Sequence, residues 1–582
     1  MFDELFDGFG PRLNVSREIY RDKYLQIKET FPQAMFRIAY TLSDGMEHFE
    51  AFNDCLVDQR FLPAGRVQAS IGSERITTPY NCFVSMTIPD SMEGIMQALS
   101  EAAETTRRGG GIGFDFSTLR PQGAEIRSLK SSSSGPIAFM KVFDALGAAI
   151  SSAGHRRAAL MGVLRVDHPD IEAFIEAKQN SHTLTNFNIS VAVTDAFMDA
   201  VREDREFDLI FDGEVYRTVR ARELWDKIMS STWDWAEPGI IFIDRVNRKN
   251  NLHYVEQIAA VNPCGEQYLP PHGACLLGSF NLVKYIRFTG GTAWFDYNRF
   301  AADIPAVVRA MDNIIDVAIY PLPEQEVQAK QKRRMGLGVT GLANALEVMG
   351  HPYGSESFKA EMHTIMGLLR DGAYRASIEL AKEKGSFPLF EAEPYLQSEF
   401  AQTLPEDVRD SIRAFGIRNS HLLSVAPTGT ISLAADNISS SIEPVFSYAI
   451  ERRMRLGDGK ERVETIKDYG FGTWGVEGRK ANDVGVMDHV EVLNIASHYV
   501  DSAVSKTCNV GESVSFEEFK DVYLRAYEGG SSGCTTFRLN GKRFGIMQDA
   551  DISAQQEARN SEEIVEGSAC YIDPNTGKKT CE

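Results

Sequence analysis

Short apolar runs alternate with helical segments from about residue 76 to residue 545, and this alternation constrains the fold more than any other feature. The clearest predicted strands are FNISVAV (187–193), GIIFID (239–244) and HLLSVAP (421–427). The helices between them carry start signals, such as the capping box of Ser515 and Glu518 and Pro169 ahead of DIEAFIEAKQ. Strands that alternate with helices over such a length predict a large α/β sheet or barrel.

Two regions of different character flank this α/β portion. Residues 1–75 are mostly helical in pattern, whereas residues 546–582 are polar and rich in turn formers. We therefore expect a helical N-terminal region (1–75), an α/β domain (76–545) and a flexible tail (546–582). The N-terminus is acidic where a signal peptide is basic, and no apolar run reaches bilayer length, so we expect a cytoplasmic protein without membrane contact.

The charge balance limits the possible partners. Lys and Arg total 61 against 81 Asp and Glu, which gives a formal net charge of -20. No run of basic residues interleaved with aromatic residues is present, so nucleic acid is not expected as a partner. A small phosphorylated substrate needs only a local positive or amide-lined pocket and stays compatible with this charge.

The stretch AAVNPCGEQYLPPHGACLLGSFNLV (259–283) does not have the pattern of packed core. Pro263 fixes its own φ and pushes Asn262 toward an extended conformation. Gly265 permits a tight turn after Cys264. An irregular loop therefore holds Asn262, Cys264 and Glu266 close together. Because buried loop backbone needs hydrogen-bond partners, burial of this loop would indicate a function, and a surface turn with incidental cysteines is the alternative.

Two glycine-containing segments are candidates for phosphate binding. APTGTIS follows a predicted strand, and helix-start amides with the hydroxyls of Thr428, Thr430 and Ser432 suit a phosphate. It lacks the Gly-Lys-Ser/Thr of a P-loop, and a simple strand-to-helix turn is the alternative. The run TTRRGGGIGFDFS has Phe114 where the dinucleotide fingerprint needs its third glycine, so a Rossmann dehydrogenase is disfavoured.

The cysteines are few for the length of the chain and form no Cys-x-x-Cys pair, which favours free thiols in a reducing compartment. The eight cysteines are Cys55, Cys82, Cys264, Cys275, Cys508, Cys534, Cys570 and Cys581. Nothing chemical stands beside Cys55 and Cys508 in the sequence, so both are predicted to be small buried hydrophobic residues. No metal-ion site is predicted.

From Arg60 to the C-terminus, a series of segments carries a family resemblance. In chain order they are RFLPAGRVQASIGSERITTPYNCFVS, IPDSMEGI, RRGGGIGFDFSTLRPQGAEI, NPCGE, MGLGVTGLANAL, APTGTIS and GCTTFRLNG. Together they resemble the catalytic subunit of ribonucleotide reductases, and in detail the class II, adenosylcobalamin-dependent branch. The resemblance implies a ten-stranded α/β barrel with a central finger loop, preceded by a short helical region. It also implies reduction of ribonucleoside di- or triphosphates to 2'-deoxyribonucleotides.

The resemblance implies a role for each residue of the active site. Cys264 would carry the thiyl radical that takes the 3' hydrogen of the ribose, and Glu266 would accept the 3'-hydroxyl proton as general base. Asn262 would orient the substrate hydroxyls. Cys82 and Cys275 would supply the two reducing equivalents and end as a disulfide.

The resemblance also implies binding sites for the substrate phosphates and for nucleotide effectors. The implied phosphate-binding residues are Pro427, Thr428, Gly429, Thr430, Ile431 and Ser432. The implied contacts to deoxynucleotide or ATP effectors are Asp90, Arg120, Arg127 and Arg156, with Arg157 as a further candidate. For Asp90, a helix N-cap ahead of SMEGIMQALSEA is the alternative. Since no additional N-terminal ATP-binding domain is recognised, we expect control of specificity without overall inhibition by dATP.

The resemblance also implies an electron route through the tail and a source for the radical. Cys570 and Cys581 would form a shuttle re-reduced by a thioredoxin- or glutaredoxin-like protein, and a zinc pair or a pair without function are the alternatives. Where the class I branch has a tyrosine pair, this sequence has Cys534-Thr535-Thr536. The expected cofactor is therefore adenosylcobalamin, with Mg²⁺ on the nucleotides, in a homodimer. A class I-type subunit with a separate metal-bearing partner, and a silent nucleotide-binding homologue, stay open as alternatives.

Overall fold

Helices and strands alternate along most of the chain in the computed structural model. The described residues are 3–6, 8–126, 129–150, 158–179, 182–455, 461–538, 570–572 and 579–581. Within them every helix is too short or too polar to traverse a lipid bilayer.

The α-helices of the described residues are distributed over both ends and the middle of the chain. They are α1 (Asn14–Ile19), α2 (Phe31–Leu42), α3 (Met46–Val57), α4 (Gly65–Ser70), α5 (Met92–Arg107), α6 (Pro136–Ala149), α7 (Ile171–Glu176), α8 (Asp195–Arg202), α9 (Ala221–Trp235), α10 (Ile243–Lys249), α11 (Tyr297–Val317), α12 (Pro323–Lys332), α13 (Leu342–Val348), α14 (Glu356–Lys384), α15 (Ala392–Leu396), α16 (Glu406–Phe415), α17 (Gly429–Ala434), α18 (Val486–Tyr499) and α19 (Phe516–Glu528).

The strands are mostly short. They are β1 (Phe61–Pro63), β2 (Cys82–Val84), β3 (Gly111–Asp115), β4 (Glu125–Ile126), β5 (Ser131–Ser132), β6 (Leu160–Arg165), β7 (Phe187–Val193), β8 (Glu206–Phe211), β9 (Glu214–Arg220), β10 (Gly239–Phe242), β11 (Ala260–Val261), β12 (Tyr268–Leu269), β13 (Ala274–Cys275), β14 (Leu277–Asn281), β15 (Ile286–Thr289), β16 (Thr292–Phe295), β17 (Gly336–Thr340), β18 (Ala449–Arg455), β19 (Glu461–Lys467), β20 (Thr507–Val510), β21 (Gly533–Arg538), β22 (Cys570–Ile572) and β23 (Lys579–Cys581).

The largest sheet has eight strands in the order β13-β2-β3-β6-β7-β10-β21-β20. Strands β2, β3, β6, β7 and β10 are parallel neighbours, whereas β13 and β21 run antiparallel to β2 and β10. Helices connect the parallel strands, as parallel pairing requires. The predicted α/β class is therefore confirmed.

A second sheet of three strands has the order β1-β14-β17. Strand β1 lies inside the region predicted as helical and pairs antiparallel with β14. The segment 274–281 carries one strand of each sheet, since β13 pairs with β2 while β14 pairs with β17. Among the described residues, the strands form these two sheets and separate hairpins, with no continuous ladder that closes a barrel.

The sequence signals for individual elements agree closely with the structure. Strand β7 has the predicted bounds, and β10 ends two residues early because α10 begins at Ile243. Ser515 and Glu518 form the predicted capping box of α19. The predicted strand 421–427 makes only single bridges, Leu337 with Leu423 and Val425 with Val504.

Apolar side chains cover both faces of the large sheet. One cluster packs α5, α6, α8 and α9 against it, and the other joins it to the small sheet, α11 and α14. Both Cys55 and Cys508 lie fully buried in these clusters, as predicted. Apolar residues of the segment 260–269 belong to the cluster that joins the two sheets. This segment therefore lies in the interior, between the two sheets.

Candidate active site

Residues 260–269 form a short hairpin, which we call the cysteine hairpin. Strands β11 and β12 pair antiparallel, with Val261 opposite Tyr268. The Gln267 amide donates to Asn262 Oδ1 at 2.9 Å, and the Asn262 amide donates to the Gln267 carbonyl at 3.1 Å. The side-chain oxygen of Asn262 therefore closes the turn that carries Cys264.

The cysteine hairpin is buried except at its tip, where Cys264 is exposed, and its backbone finds partners on surrounding segments. Asn188 Nδ2 donates to the Pro263 carbonyl at 3.0 Å. Ser424 Oγ and the Ala503 amide donate to the Glu266 carbonyl at 2.8 and 3.1 Å. The hairpin is therefore not a surface turn, because other parts of the chain satisfy its irregular backbone.

The glycine run on β3 makes room for the cysteine hairpin. A Cβ atom on Gly113 would lie 1.8 Å from the Val261 carbonyl oxygen, and one on Gly111 would lie 3.1 Å from Pro263 Cγ. Only glycine permits so close an approach of the two backbones. The sequence reasoning rejected this run as a nucleotide fingerprint but missed its steric role, although glycines two residues apart in a strand were the available signal.

The three predicted thiols come together at the tip of the cysteine hairpin. Cys82 and Cys275 lie directly opposite each other in the antiparallel pairing of β2 and β13. Opposite residues in such a pair have Cα atoms about 4.5–5.5 Å apart, within the range of a disulfide. Cys264 is exposed, and its thiol is a hydrogen-bond partner of Cys82.

The surroundings keep the two buried thiols protonated. For Cys82, the hydrogen bond with Cys264 lowers the pKa, but the hydrogen bond with Cys275 and burial outweigh it and hold the pKa well above its ordinary value. Burial also raises the pKa of Cys275, which a hydrogen bond with Cys82 partly offsets. Thiols of this kind are poor nucleophiles at neutral pH but can donate hydrogen.

Glu266 is a buried carboxyl group with no charged partner among the described residues. Burial raises its pKa to about 7, and the nearby Asn262 side chain and the backbone amide of Glu266 itself offset only part of this rise. Glu266 Oε2 and Asn262 Nδ2 have no well-formed hydrogen bond within the described residues. An acceptor and a donor of this kind, side by side, suit the hydroxyl groups of a ligand. A carboxyl group with this pKa suits general acid-base work near neutral pH.

The predicted phosphate turn begins three residues after Ser424, which contacts the cysteine hairpin. Helix α17 starts at Gly429, and its N-cap Thr428 has the left-handed conformation, with φ of 50°. Pro427 and Gly429 are exposed, whereas the hydroxyls of Thr428 and Ser432 are engaged inside the protein, 3.0 Å apart. An anion at this turn would therefore meet the backbone of the first helical turn rather than these two hydroxyls.

Two of the predicted effector residues form an ion pair. Arg120 Nε donates to Asp90 Oδ2 at 2.7 Å, and the Arg120 amide donates to Asp90 Oδ1 at 3.2 Å. The N-cap of α5 is Ser91, which accepts from the Gly94 amide at 3.1 Å. The alternative reading of Asp90 as the helix cap is therefore wrong. Arg127, Arg156 and Arg157 lie outside the described residues.

The tail cysteines occupy matching positions in a hairpin. Strands β22 and β23 pair antiparallel, with Cys570 directly opposite Cys581. Cys534-Thr535-Thr536 lies on β21, where Thr536 Oγ1 is 2.9 Å from the Tyr523 hydroxyl.

Comparison with known families decides the classification. The family model described as the ribonucleotide reductase barrel domain matches residues 80–471 and 479–537. The chain belongs to the ribonucleotide reductase family. The matched residues include the cysteine hairpin, the phosphate turn and both members of the Cys82 and Cys275 pair.

Individual relatives in this family are named as vitamin B12-dependent enzymes. A vitamin B12-dependent ribonucleoside-diphosphate reductase of Thermoplasma acidophilum is 32% identical, over 93% of this chain and 71% of the relative. One of Mycobacterium tuberculosis is 33% identical, over 86% of this chain and 73% of the relative. A ribonucleoside-diphosphate reductase large subunit of Variola virus is 28% identical, over 65% of this chain and 54% of the relative. These two B12-dependent relatives thus match more of the chain, at higher identity, than the viral subunit does.

Proposed function

We propose that the chain reduces ribonucleoside diphosphates to 2'-deoxyribonucleotides by class II, adenosylcobalamin-dependent chemistry. The observation that carries the proposal is the placing of Cys264, Cys82, Cys275 and Glu266 around one buried hairpin. Binding alone would require no such group of thiols, so this site argues against a silent nucleotide-binding homologue. The coverage by relatives named for vitamin B12 supports the class II branch over a class I-type subunit.

Each side chain has a defined part in the chemistry. Cys264, as a thiyl radical, takes the 3' hydrogen of the ribose, and Glu266 takes the proton of the 3'-hydroxyl. One thiol of the Cys82 and Cys275 pair gives the proton with which the 2'-hydroxyl leaves as water, and the other gives the hydrogen that C2' receives. The pair thereby gives two electrons and becomes a disulfide. Glu266 returns its proton to the 3' oxygen, and Cys264 returns the hydrogen to C3'. The balance is one ribonucleotide and two thiols to one deoxyribonucleotide, one disulfide and one water.

The cofactor is proposed from the relatives, which are named for vitamin B12. A cavity behind the cysteine hairpin is lined by Val246, Lys249, Asn250, Ile258, Tyr268, His421, Asp501, Ser502 and Ser532. It has room for about one water molecule and is too small for adenosylcobalamin, so it is not the cofactor site. When bound, adenosylcobalamin supplies the initiating radical by homolysis of its cobalt–carbon bond.

The proposal extends to the remaining sites. The first-turn amides of α17, with Pro427, Thr430 and Ile431 beside them, would hold the substrate phosphates, which carry Mg²⁺. Asp90 and Arg120 would contact a deoxynucleotide or ATP effector, together with Arg127 and Arg156. The Cys570 and Cys581 pair would pass electrons from a thioredoxin- or glutaredoxin-like protein to the active site.

The proposed architecture follows from the same assignment. Strands of the two sheets would make up the ten-stranded barrel of the family, with the cysteine hairpin as its finger loop. The helical region 1–75, the barrel domain 76–545 and the tail 546–582 would make up a cytoplasmic protein that acts as a homodimer.

Deoxyribonucleotide formation by the purified chain tests the proposal. The assay contains dithiothreitol, Mg²⁺, an effector and CDP or CTP, with and without adenosylcobalamin. We expect product only with the cofactor, and more from CDP than from CTP. Product that appears only after a metal-bearing subunit is added would instead establish the class I-type alternative.

A further inference from the structure

Thr340, the last residue of β17, stands at the centre of a buried hydroxyl cluster. Its Oγ1 lies 3.0 Å from Thr428 Oγ1, 2.8 Å from Ser432 Oγ and 3.3 Å from the Ser439 carbonyl oxygen. It also accepts from the Ser441 amide at 3.0 Å. Thr340 is fully buried. One side chain on β17 therefore ties together four residues of the segment 428–441.

This hydroxyl cluster holds the phosphate turn in an unfavourable conformation. Thr428 is β-branched and has φ of 50°, a region that such residues rarely adopt. Conformations of this kind persist only where the surroundings impose them. Besides Thr340, the Ser441 amide donates to Thr428 Oγ1 at 2.7 Å. The hydrogen bonds to Thr428 Oγ1 are thus the restraints that fix the residue from which α17 starts.

A buried side chain without a partner lies beside the same cluster. Ser441 is fully buried, and its Oγ has no hydrogen bond within the described residues, although its amide is bonded to both Thr340 and Thr428. Buried polar atoms are normally satisfied, so the vicinity of the turn has hydrogen-bonding capacity left over for a ligand.

We propose that Thr340 is a positioning residue of the nucleotide site. Its hydroxyl holds Thr428 in the left-handed conformation and thereby aims the first-turn amides of α17 at the phosphates of the substrate. This inference rests on the proposed function, because it takes the turn to be the phosphate site. Thr340 does not touch the nucleotide, since its side chain is buried and its hydroxyl is engaged by the protein.

The position of Thr340 predicts which step its loss affects. The groups that act on the ribose stand on the cysteine hairpin and on β2 and β13, whereas the hydroxyl of Thr340 is engaged by residues of the segment 428–441. Removal of the hydroxyl should therefore weaken phosphate binding and leave the chemical step unchanged.

Thr340→Val, which replaces the hydroxyl with a methyl group of similar size, tests the inference. We expect the Kd and KM for CDP to rise about tenfold or more, as for the loss of about one good hydrogen bond to the phosphates. We expect kcat to stay within about threefold, and the Kd for cytidine, which lacks phosphates, to stay unchanged. Thr340→Ser keeps the hydroxyl and should restore the Kd for CDP.

Thr232→Val is the matched control. The Thr232 hydroxyl is also buried and donates to the Ile228 and Pro238 carbonyls at 3.0 and 2.8 Å. Its helix, α9, packs in a different apolar cluster from α17. This variant loses a comparable pair of hydrogen bonds on α9, so it should lose stability without a change in the Kd for CDP.

Three results would overturn the inference. They are an unchanged Kd for CDP in Thr340→Val, an equal loss of affinity for CDP and cytidine, and wild-type protein that binds CDP no more tightly than cytidine. If Thr340→Val does not fold, Ser432→Ala removes one neighbour of the same hydroxyl and must show the same selective loss for CDP. These Kd measurements do not depend on turnover. A wild-type protein without turnover would therefore count against the proposed function and not against the role of Thr340.

Discussion

Glu266→Gln is expected to abolish turnover and to stabilise the folded protein at pH 8. Burial raises the pKa of Glu266 to about 7 from an ordinary value of 4.5. Above pH 7 the folded protein must carry a buried charge, at a free-energy cost of about 3 kcal/mol relative to the unfolded chain. Glutamine has nearly the same shape and cannot ionise, so the variant removes this penalty.

The effect has a defined dependence on pH. Because the folded protein binds the proton of Glu266 more tightly than the unfolded chain does, wild-type stability falls as pH rises from about 4.5 to about 7. The advantage of the variant should be about 1 kcal/mol at pH 5 and about 3 kcal/mol at pH 8. For a chain of 582 residues, the larger value corresponds to about 3 °C in Tm.

Thermal unfolding at pH 5 and pH 8 measures this difference. The control is Glu256→Gln, because Glu256 is also buried but its ion pairs with Lys332 and Arg334 outweigh burial and lower its pKa. That variant should lower the Tm at pH 8. The reasoning would be refuted if Glu266→Gln had the same Tm as wild type at pH 8, or if its advantage did not change with pH. In the active wild type, kcat/KM should fall tenfold per pH unit below about pH 7.

Three further predictions concern the thiols and the fit of the cysteine hairpin. Cys264→Ser should show no deoxyribonucleotide formation while it binds CDP with unchanged Kd, and residual turnover would remove Cys264 as the radical carrier. Gly113→Ala should lose about 2–3 kcal/mol of stability or more, measured by chemical denaturation, because its Cβ would meet the Val261 carbonyl at 1.8 Å. The control is Gly511→Ala, because a Cβ atom on Gly511 would meet no atom within 4 Å. Equal losses of stability in the two variants would contradict the steric argument. The double variant Cys570→Ser and Cys581→Ser should keep activity with dithiothreitol and lose it with thioredoxin, so full activity with thioredoxin would exclude the shuttle.

The sequence predicted the parts of the molecule that depend on local pattern. Alternating apolar runs gave the α/β class, and the Pro263 and Gly265 signals gave the irregular turn at Cys264. The capping box of α19 also formed as predicted, because its two hydrogen bonds join residues only three positions apart. The grouping of Cys82 and Cys275 came from a family resemblance, since nothing local relates residues so far apart in the chain.

The features that sequence reasoning missed depend on contacts between distant segments. The glycines of β3 make room for a hairpin about 150 residues away, which no local pattern reveals. The hydroxyls of Thr428 and Ser432 suggested phosphate contacts, but the fold engages them with Thr340. Asp90 had the local pattern of a helix cap, and its pairing with Arg120 depends on a turn that only the tertiary structure positions.

A single-turnover experiment tests the central claim most directly, namely that Cys82 and Cys275 supply the electrons beside Cys264. The chain carrying Cys570→Ser and Cys581→Ser is reduced, freed of dithiothreitol and given CDP, an effector and adenosylcobalamin. Product is then counted and the disulfides are mapped by mass spectrometry. The proposal predicts at most one deoxyribonucleotide per chain and a disulfide that joins Cys82 to Cys275. Product in excess of one per chain, or product formed while both thiols stay reduced, would contradict it.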